Sequence, residues 1–215
     1  MARTFVAASS MYAEITTAPV TANPITVAAF FYPTSITAGN IVASIGDLAA
    51  TTRVQIGTAA TTGAYTATQV GTDAVAVTAN GATSNSINVW GHCCGVFASS
   101  TSRTVYRNGV SDGTDTVSKA LGTPTGVTMG TRYATGTRGF YANGRIAELA
   151  IYNVSLTAPE ILSLSNGCSP LRVRPDSLVF YAPTWGEQSP EINQKGTSLS
   201  LFASPTKSDH PRVYY

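Results

Sequence analysis

An all-β fold, a sandwich or barrel of short strands, is predicted for this 215-residue chain on three observations. Charged residues make up only 11% of it, against roughly 25% in ordinary soluble domains. Thr, Ser, Ala, Asn and Gly fill their place, a poor recipe for helix but a good one for the pleated, half-buried surface of a sheet that Thr and Val favour. Short apolar runs recur at close spacing with turn residues between them, the pattern of sandwiches and barrels. Asn-Gly pairs punctuate those runs, and a type I′ hairpin turn, with positive φ at both central residues, is where Asn-Gly fits best. The length suits a single unit, because all-β sandwiches often exceed 200 residues as one domain.

The elements follow in order. "ITVAAFFY" (25–32) is apolar on both faces and stops at Pro33, as a buried central strand would. "NIVASIG" (40–46), "RVQIG" (53–57), "AYTATQV" (64–70) and "AVAVTA" (74–79) come next. Asn80-Gly81, Asn108-Gly109 and Asn143-Gly144 are read as hairpin turns. "SLTAPEILSLSNG" holds the one convincing helix, about two turns long. Thr157 and Glu160 have capping-box spacing, Pro159 fits the first turn, and Gly167 of Asn166-Gly167 suits a left-handed C-cap. So short a helix is a lid on the sheets. From Pro170 the texture changes, with six of the eleven prolines in 170–215. The expected division is a sandwich over 1–170 and, over 171–215, a C-terminal strand ("SLVFYAP", 177–183) followed by a Pro-rich extended arm that includes "TSLSLFA" (197–203). A long stretch without structure is usually functional or a partner-binding linker.

The segment "VWGHCCGVF" (89–97) concentrates reactive residue types. Side chains alternate across a strand, so Trp90, His92, Cys94 and Val96 point one way and Val89, Gly91, Cys93, Gly95 and Phe97 the other. Neither His92 with Cys93 nor Cys93 with Cys94 can then share a metal. A structural zinc site needs four ligands, and no second Cys pair exists; reduced Cys as a small buried hydrophobe is the reading that remains. Catalysis fares no better. His92 is mid-strand, and His210 lies in the tail beside Pro211. Two close acid pairs, Asp112/Asp115 and Glu187/Glu191, fall in Gly-, Ser- or Pro-rich loops and read as solvated turn acids. Glu148 is the one acid in a confident strand, and it has no acidic neighbour two residues away. Hydrolysis of a sugar needs two carboxylates about 5–9.5 Å apart, so no enzymatic activity is expected.

A formal charge of +2 is too small for a nucleic-acid partner, whose domains carry a dense Lys/Arg stripe. Nothing reaches the ~20 apolar residues of a membrane span. Three cysteines cannot all pair, which argues against a disulfide-stapled secreted domain, and "MARTFVAASSMYAEI" lacks the apolar run of a signal peptide. Synthesis and folding in the cytoplasm are expected.

Taken in order, "W-x-H" (Trp90, His92), "YRNG" (Tyr106, Asn108, Gly109), "MGTR" (with Gly130) and "FYANGRIAELAIYNVSLTAPEIL" (Phe140, Gly144, Ile146, Glu148, Tyr152, Thr157, Glu160) resemble the laminin-G-like, concanavalin A-like lectin/glucanase domains. The likeness runs from about Arg3 to Gly167 and is most specific over 88–167. Phe30-Phe31 stands where these domains usually have Trp-Phe. The resemblance implies a two-sheet antiparallel jelly-roll sandwich. The glucanase branch carries paired acids on one strand; this chain lacks them, so that activity is not carried over. Many laminin-G domains hold one calcium ion. Asp47 and Asp73 lie in suitable loops but match no calcium motif, and loop Asp is more often a turn former. No other cofactor is implied.

Short proteins of this kind are similar to those encoded by tailed bacteriophages and prophages. A lectin-like domain without an export signal fits a virion, which leaves its host by lysis. The expected function is therefore a non-enzymatic structural virion protein, decorating a capsid or attached to a tail, with other virion proteins and copies of itself as partners. The alternative is a carbohydrate-binding adhesin for a host-surface glycan, with Tyr65, Tyr133, Tyr141 and Trp185 as candidate stacking rings around the concave face. Packing in the core is the competing role for each ring.

Overall fold

The computed structural model of the chain describes residues 2–47, 49–134, 136–185 and 189–214, apart from the side chains of Tyr133 and Ala134. It is all-β, with two antiparallel sheets and one short helix. The strands are β1 (Ala2–Phe5), β2 (Tyr12–Ile15), β3 (Ile25–Pro33), β4 (Ile41–Gly46), β5 (Arg53–Thr58), β6 (Tyr65–Val70), β7 (Ala76–Asn80), β8 (Gly91–Ser99), β9 (Ser102–Arg107), β10 (Val110–Asp115), β11 (Gly126–Met129), β12 (Arg132–Ala134), β13 (Thr137–Gly139), β14 (Gly144–Tyr152), β15 (Leu178–Ala182), β16 (Ser200–Phe202) and β17 (Thr206–Ser208). The helix, α1, is Ala158–Ser165.

One sheet has eight strands in the order β10-β9-β8-β3-β14-β1-β17, with β15 also on β14. The other has seven, in the order β16-β2-β11-β4-β5-β6-β7, and β12 and β13 form a separate hairpin. The inner faces meet in a core that includes Phe5, Phe31, Val54, Ile56, Tyr65, Phe97 and Ile151. Side-chain alternation in β8 is as expected. Cys93 and Phe97 enter the core between the sheets. Cys94 and Val96 face outward into a second apolar layer, where Ile161 and Leu164 of α1 cover Ala28, Ala150 and Tyr152. Both faces of the eight-stranded sheet are therefore dry along its centre. Burial pushes both thiols of the pair far up, which leaves them un-ionised and unreactive.

The helix starts as its sequence specifies. The Glu160 carboxylate accepts from the Thr157 N–H at 2.7 Å and from its hydroxyl at 2.8 Å, and Gly167 takes a left-handed φ of 88° beyond the C-terminus. Asn108-Gly109, with φ of 49° and 83°, is the two-residue turn between β9 and β10. The Asn108 side-chain oxygen also accepts from the His92 N–H at 2.8 Å, which ties the turn to β8.

The other two expected hairpins are not hairpins. Asn80 ends β7, and the chain then crosses to the other sheet, with the Gly81 N–H donating to the Tyr65 carbonyl at 2.8 Å. Gly144 opens β14, where a β-carbon would stand 2.3 Å from the Tyr32 carbonyl oxygen. That glycine is needed for close approach between strands, and the Asn143 side chain accepts from the Ala7 N–H at 3.0 Å.

Residues 171–215 were expected to hold one strand and then an extended arm. They hold three short strands, each paired with the chain's own sheets: β15 on β14, β16 on β2 and β17 on β1. β1 and β15 share one edge of β14. β1 pairs with Gly144–Ile146 and β15 with Leu149–Tyr152. Between them the register of β14 against β3 shifts, and Glu148 sits in the gap with φ of 58°, a bulge geometry that re-aims its side chain.

Candidate ligand-binding face

On the outer face of the seven-stranded sheet, Ser44 and Thr128 at the centre are buried and Gln55 and Thr68 nearly so, while Ser200, Glu14 and Thr78 toward the edges reach solvent. Strand register puts Ser200, Glu14, Thr128, Ser44, Gln55, Thr68 and Thr78 side by side in one row across all seven strands. Each is polar because alternation places it opposite the core residues of its own strand. The Thr68 and Thr78 hydroxyls bond each other at 3.0 Å.

The β12–β13 hairpin lies over β4 and β5 at the middle of this row. It is held there by the Thr128 hydroxyl, which donates to the Thr131 carbonyl at 2.7 Å. Arg138, on β13, reaches β2 and donates from Nε to Glu14 at 2.8 Å. Its guanidinium also stands 5.6 Å from the Tyr12 ring, which stacks on Phe202 at 4.6 Å. Tyr141 lies half-buried 6.2 Å from the same Tyr12 ring. Arg132 stands over the ring of Phe140 at 4.6 Å. Phe140 is 57% exposed, so much of its ring faces solvent. Arg53, on β5, donates from Nε to Gln55 at 2.7 Å and from Nη1 to the Thr51 carbonyl at 2.8 Å. Burial, and secondly the charge of Arg132, lower the Arg53 guanidinium to about 10. The accessible part of the face thus offers an exposed aromatic ring, two half-buried guanidiniums and, toward the edges, the hydroxyls of Ser200 and Thr78. This mixture suits a polyhydroxylated ligand.

Of the three stacking candidates whose side chains are described, two lie away from this face. Tyr65 is fully buried in the core between the sheets and cannot touch a sugar. The side chain of Tyr133 lies outside the described residues. Trp185 is 38% exposed beyond β15. Only Tyr141 is placed among the aromatics described above. Phe140, singled out for its place in the motif, is the exposed ring. Its signal in the sequence was its position between Gly139 and Tyr141 in a turn, where an apolar ring has no core to enter.

Asp47 and Asp73 both serve as turn formers. Asp47 accepts from the Ala49 N–H at 2.9 Å, and Asp73 from the Val75 N–H at 3.1 Å and from Lys119 Nζ at 2.6 Å. Among the described residues no group of three or more His, Cys, Asp or Glu converges on one point. The motif residue Tyr106 lies on β9 and packs on the Cys94 layer, while Trp90, expected within the strand, immediately precedes β8 with its ring 5.5 Å from Tyr32. Gly130 lies against the ring of Phe5, and Ile146 and Tyr152 are core residues.

The acids read as solvated turn residues need correcting. Glu191 is buried and pairs with Arg3 at 2.8 Å. Asp115 ends β10 and pairs with the buried Arg103. Asp112 accepts from the Thr83 hydroxyl at 2.8 Å, and Glu187 lies outside the described residues. His210 is not loose in the tail. Its Nε2 meets Glu148 at 2.9 Å, and Glu148 also accepts from the Tyr181 hydroxyl. Glu148 is 4% exposed, so this is a buried anchor for the C-terminal segment.

His92 titrates far from its ordinary value, because burial lowers it to about 3. The unfolded chain therefore binds a proton near pH 6.5 that the folded chain refuses until about pH 3. Stability falls as pH drops through that window. Replacing His92 with Phe is expected to flatten the pH dependence of the melting temperature between pH 6.5 and 4. Parallel curves for the two proteins would show that His92 is not the group responsible.

A sequence profile described as the concanavalin A-like lectin/glucanases superfamily matches residues 7–162. No curated protein matches the chain by sequence. Among solved structures, it is similar to a native heptameric SAP-like pentraxin from Limulus polyphemus, with TM-score 0.63, 13% identity, and 89% of this chain and 88% of that one covered. It is also similar to a putative carbohydrate binding protein from Bacteroides ovatus, with TM-score 0.67, 13% identity, and 93% of this chain but only 57% of that one covered. A third is the CBM40 of a Ruminococcus gnavus IT-sialidase, bound to α2,3-sialyllactose, with TM-score 0.58, 14% identity, and 67% and 84% covered.

Proposed function

The chain belongs to the concanavalin A-like lectin/glucanase superfamily, and from that premise we propose that it is a non-catalytic, glycan-binding module whose ligand lies on the outer face of the seven-stranded sheet. The observation that carries this reading is the exposed ring of Phe140, in the hairpin region over the middle of this sheet, beside the half-buried Arg132. Sugars are bound by aromatic rings against their apolar faces and by polar groups against their hydroxyls. Absence of catalysis is supported by the polar row across the sheet. Its single carboxylate, Glu14, is held by Arg138, and glycoside hydrolysis needs a pair. The Bacteroides ovatus and Ruminococcus gnavus proteins, named for carbohydrate binding, lend support at the level of the fold.

A glycan array with the isolated chain tests the reading. Specific, competable retention is expected, and Phe140→Ala should weaken it about tenfold, the scale of one lost aromatic contact. Retention that ignores Phe140→Ala would move the site off this face, and retention of nothing would end the glycan reading.

A second reading, a structural component of a bacteriophage virion assembled from copies of itself, is favoured by the 11% charge content. Such a surface does little to hold copies apart. The similar Limulus pentraxin is a heptamer. The two readings are compatible, since a particle surface is where a glycan-binding module meets a host. Native mass measurement and particle occupancy check it: a defined oligomer on the particle is expected, and a monomer absent from particles would remove it.

A further inference from the structure

Resting on the glycan reading, we infer that the ligand is an acidic saccharide, and that Arg53 and Arg132 hold its anionic group while Phe140 stacks on the ring that carries it.

The argument begins with charge. Arg3, Arg103, Arg138, Arg145 and Arg174 each meet a carboxylate. Arg53 and Arg132 are both half-buried, and neither meets a carboxylate among the described residues. They are near enough that Arg132 disfavours the charge on Arg53. Two cations brought together and partly stripped of water, without an anion, destabilise the fold that holds them. An anionic ligand reverses that cost at the moment of binding.

The geometry is that of a receptor. Arg53 is fixed through Nε and Nη1 to Gln55 and Thr51, which leaves Nη2 without an acceptor among the described residues. Arg132 is fixed by its position over the Phe140 ring, and its Nε is buried with no hydrogen-bond partner. An orphaned donor of this kind on a charged group is costly unless something fills it. A guanidinium presents planar, forked donors that match the oxygens of a carboxylate or sulfate. Phe140, 57% exposed beside Arg132, supplies the apolar contact that a sugar ring adds to such an anion. A bare inorganic ion would make no use of that ring.

Calorimetric titration of the full chain tests this with matched probes: sialyllactose against lactose, tri-galacturonic acid against its methyl ester, and sulfated lactose to separate sulfate from carboxylate. At least one acidic probe is expected to bind about tenfold or more tightly than its neutral counterpart, with the preference shrinking in high salt. Arg53→Gln with Arg132→Gln should erase the preference and leave the weaker binding of the neutral counterpart. Arg212→Gln, at an exposed position elsewhere, should change nothing. Equal binding of acidic and neutral probes overturns the inference and leaves the glycan reading standing. So does a preference that survives the double substitution. Binding of no probe overturns both. The comparison of acid with neutral sugar uses the wild-type chain alone, so it stands even if the double variant fails to fold.

Discussion

Glu148→Ala is expected to lower the melting temperature by roughly 10 °C. Removing the shared acceptor of two buried donors costs about 1–3 kcal/mol for each, and in chains of this length each kcal/mol moves the midpoint by about 2–4 °C. Glu148 is suited to show the full effect. It is almost wholly buried, it faces His210 at 2.9 Å, and it takes the Tyr181 hydroxyl as well. It also occupies the break where β14 loses β1 and gains β15, so alanine would inherit a left-handed backbone with nothing to hold it there. Thermal melts of Glu148→Ala, His210→Ala and the double variant check this. A coupling well above zero in the cycle is expected. An alanine variant that melts within 2 °C or so of the parent, a shift of under about 1 kcal/mol, would mean that the anchor contributes little.

Truncation after Pro183 is expected to abolish cooperative folding rather than leave a trimmed sandwich. The lost segment carries β16, β17, the buried Leu199, and partners of the buried Arg3 and Glu148 side chains. Arg3 would lose Glu191, and Glu148 would lose His210. The broken Arg3–Glu191 pair at about 3–5 kcal/mol, with the lost His210 contact and the lost burial of Leu199 added, rivals the whole stability of a typical domain, about 5–15 kcal/mol. Size-exclusion chromatography and near-ultraviolet circular dichroism read the outcome. A monodisperse truncated chain with a cooperative melt would show that the C-terminal strands are dispensable additions.

Local and short-range features were legible in the sequence. Alternation along 91–97 separated Cys93 from Cys94 correctly, since the period of two is a property of any strand. The capping box of Thr157 and Glu160, the left-handed Gly167 and the Asn108-Gly109 turn were legible for the same reason, as each is settled within a few residues. The same logic failed at Asn80-Gly81 and Asn143-Gly144. Those pairs have turn chemistry, but at the first the chain changes sheets, and at the second a glycine is wanted for contact with Tyr32.

The candidate face was scarcely legible. Its row assembles one residue from each of seven strands, and register between strands is invisible in any one of them. Tyr65 and Phe140 show how far this matters. Both are aromatic residues flanked by small or polar neighbours, yet Tyr65 falls on the inner side of β6 while Phe140 sits outside at a turn. The acids divide the same way. Glu191 and Glu148 look like any tail or strand acid until Arg3 and His210, 188 and 62 positions away, close on them.

Composition, alternation and capping by themselves determined that this chain is all-β, a sandwich or barrel of short strands with one short helix, because those preferences act within a strand or a turn; the two-sheet form was implied by the family resemblance. Tertiary structure alone decided which charges are buried in pairs, which half-buried arginines meet no carboxylate among the described residues, and that the C-terminal segment completes the sheets. Those outcomes depend on contacts between residues far apart in the chain, and such contacts leave no periodic trace along it.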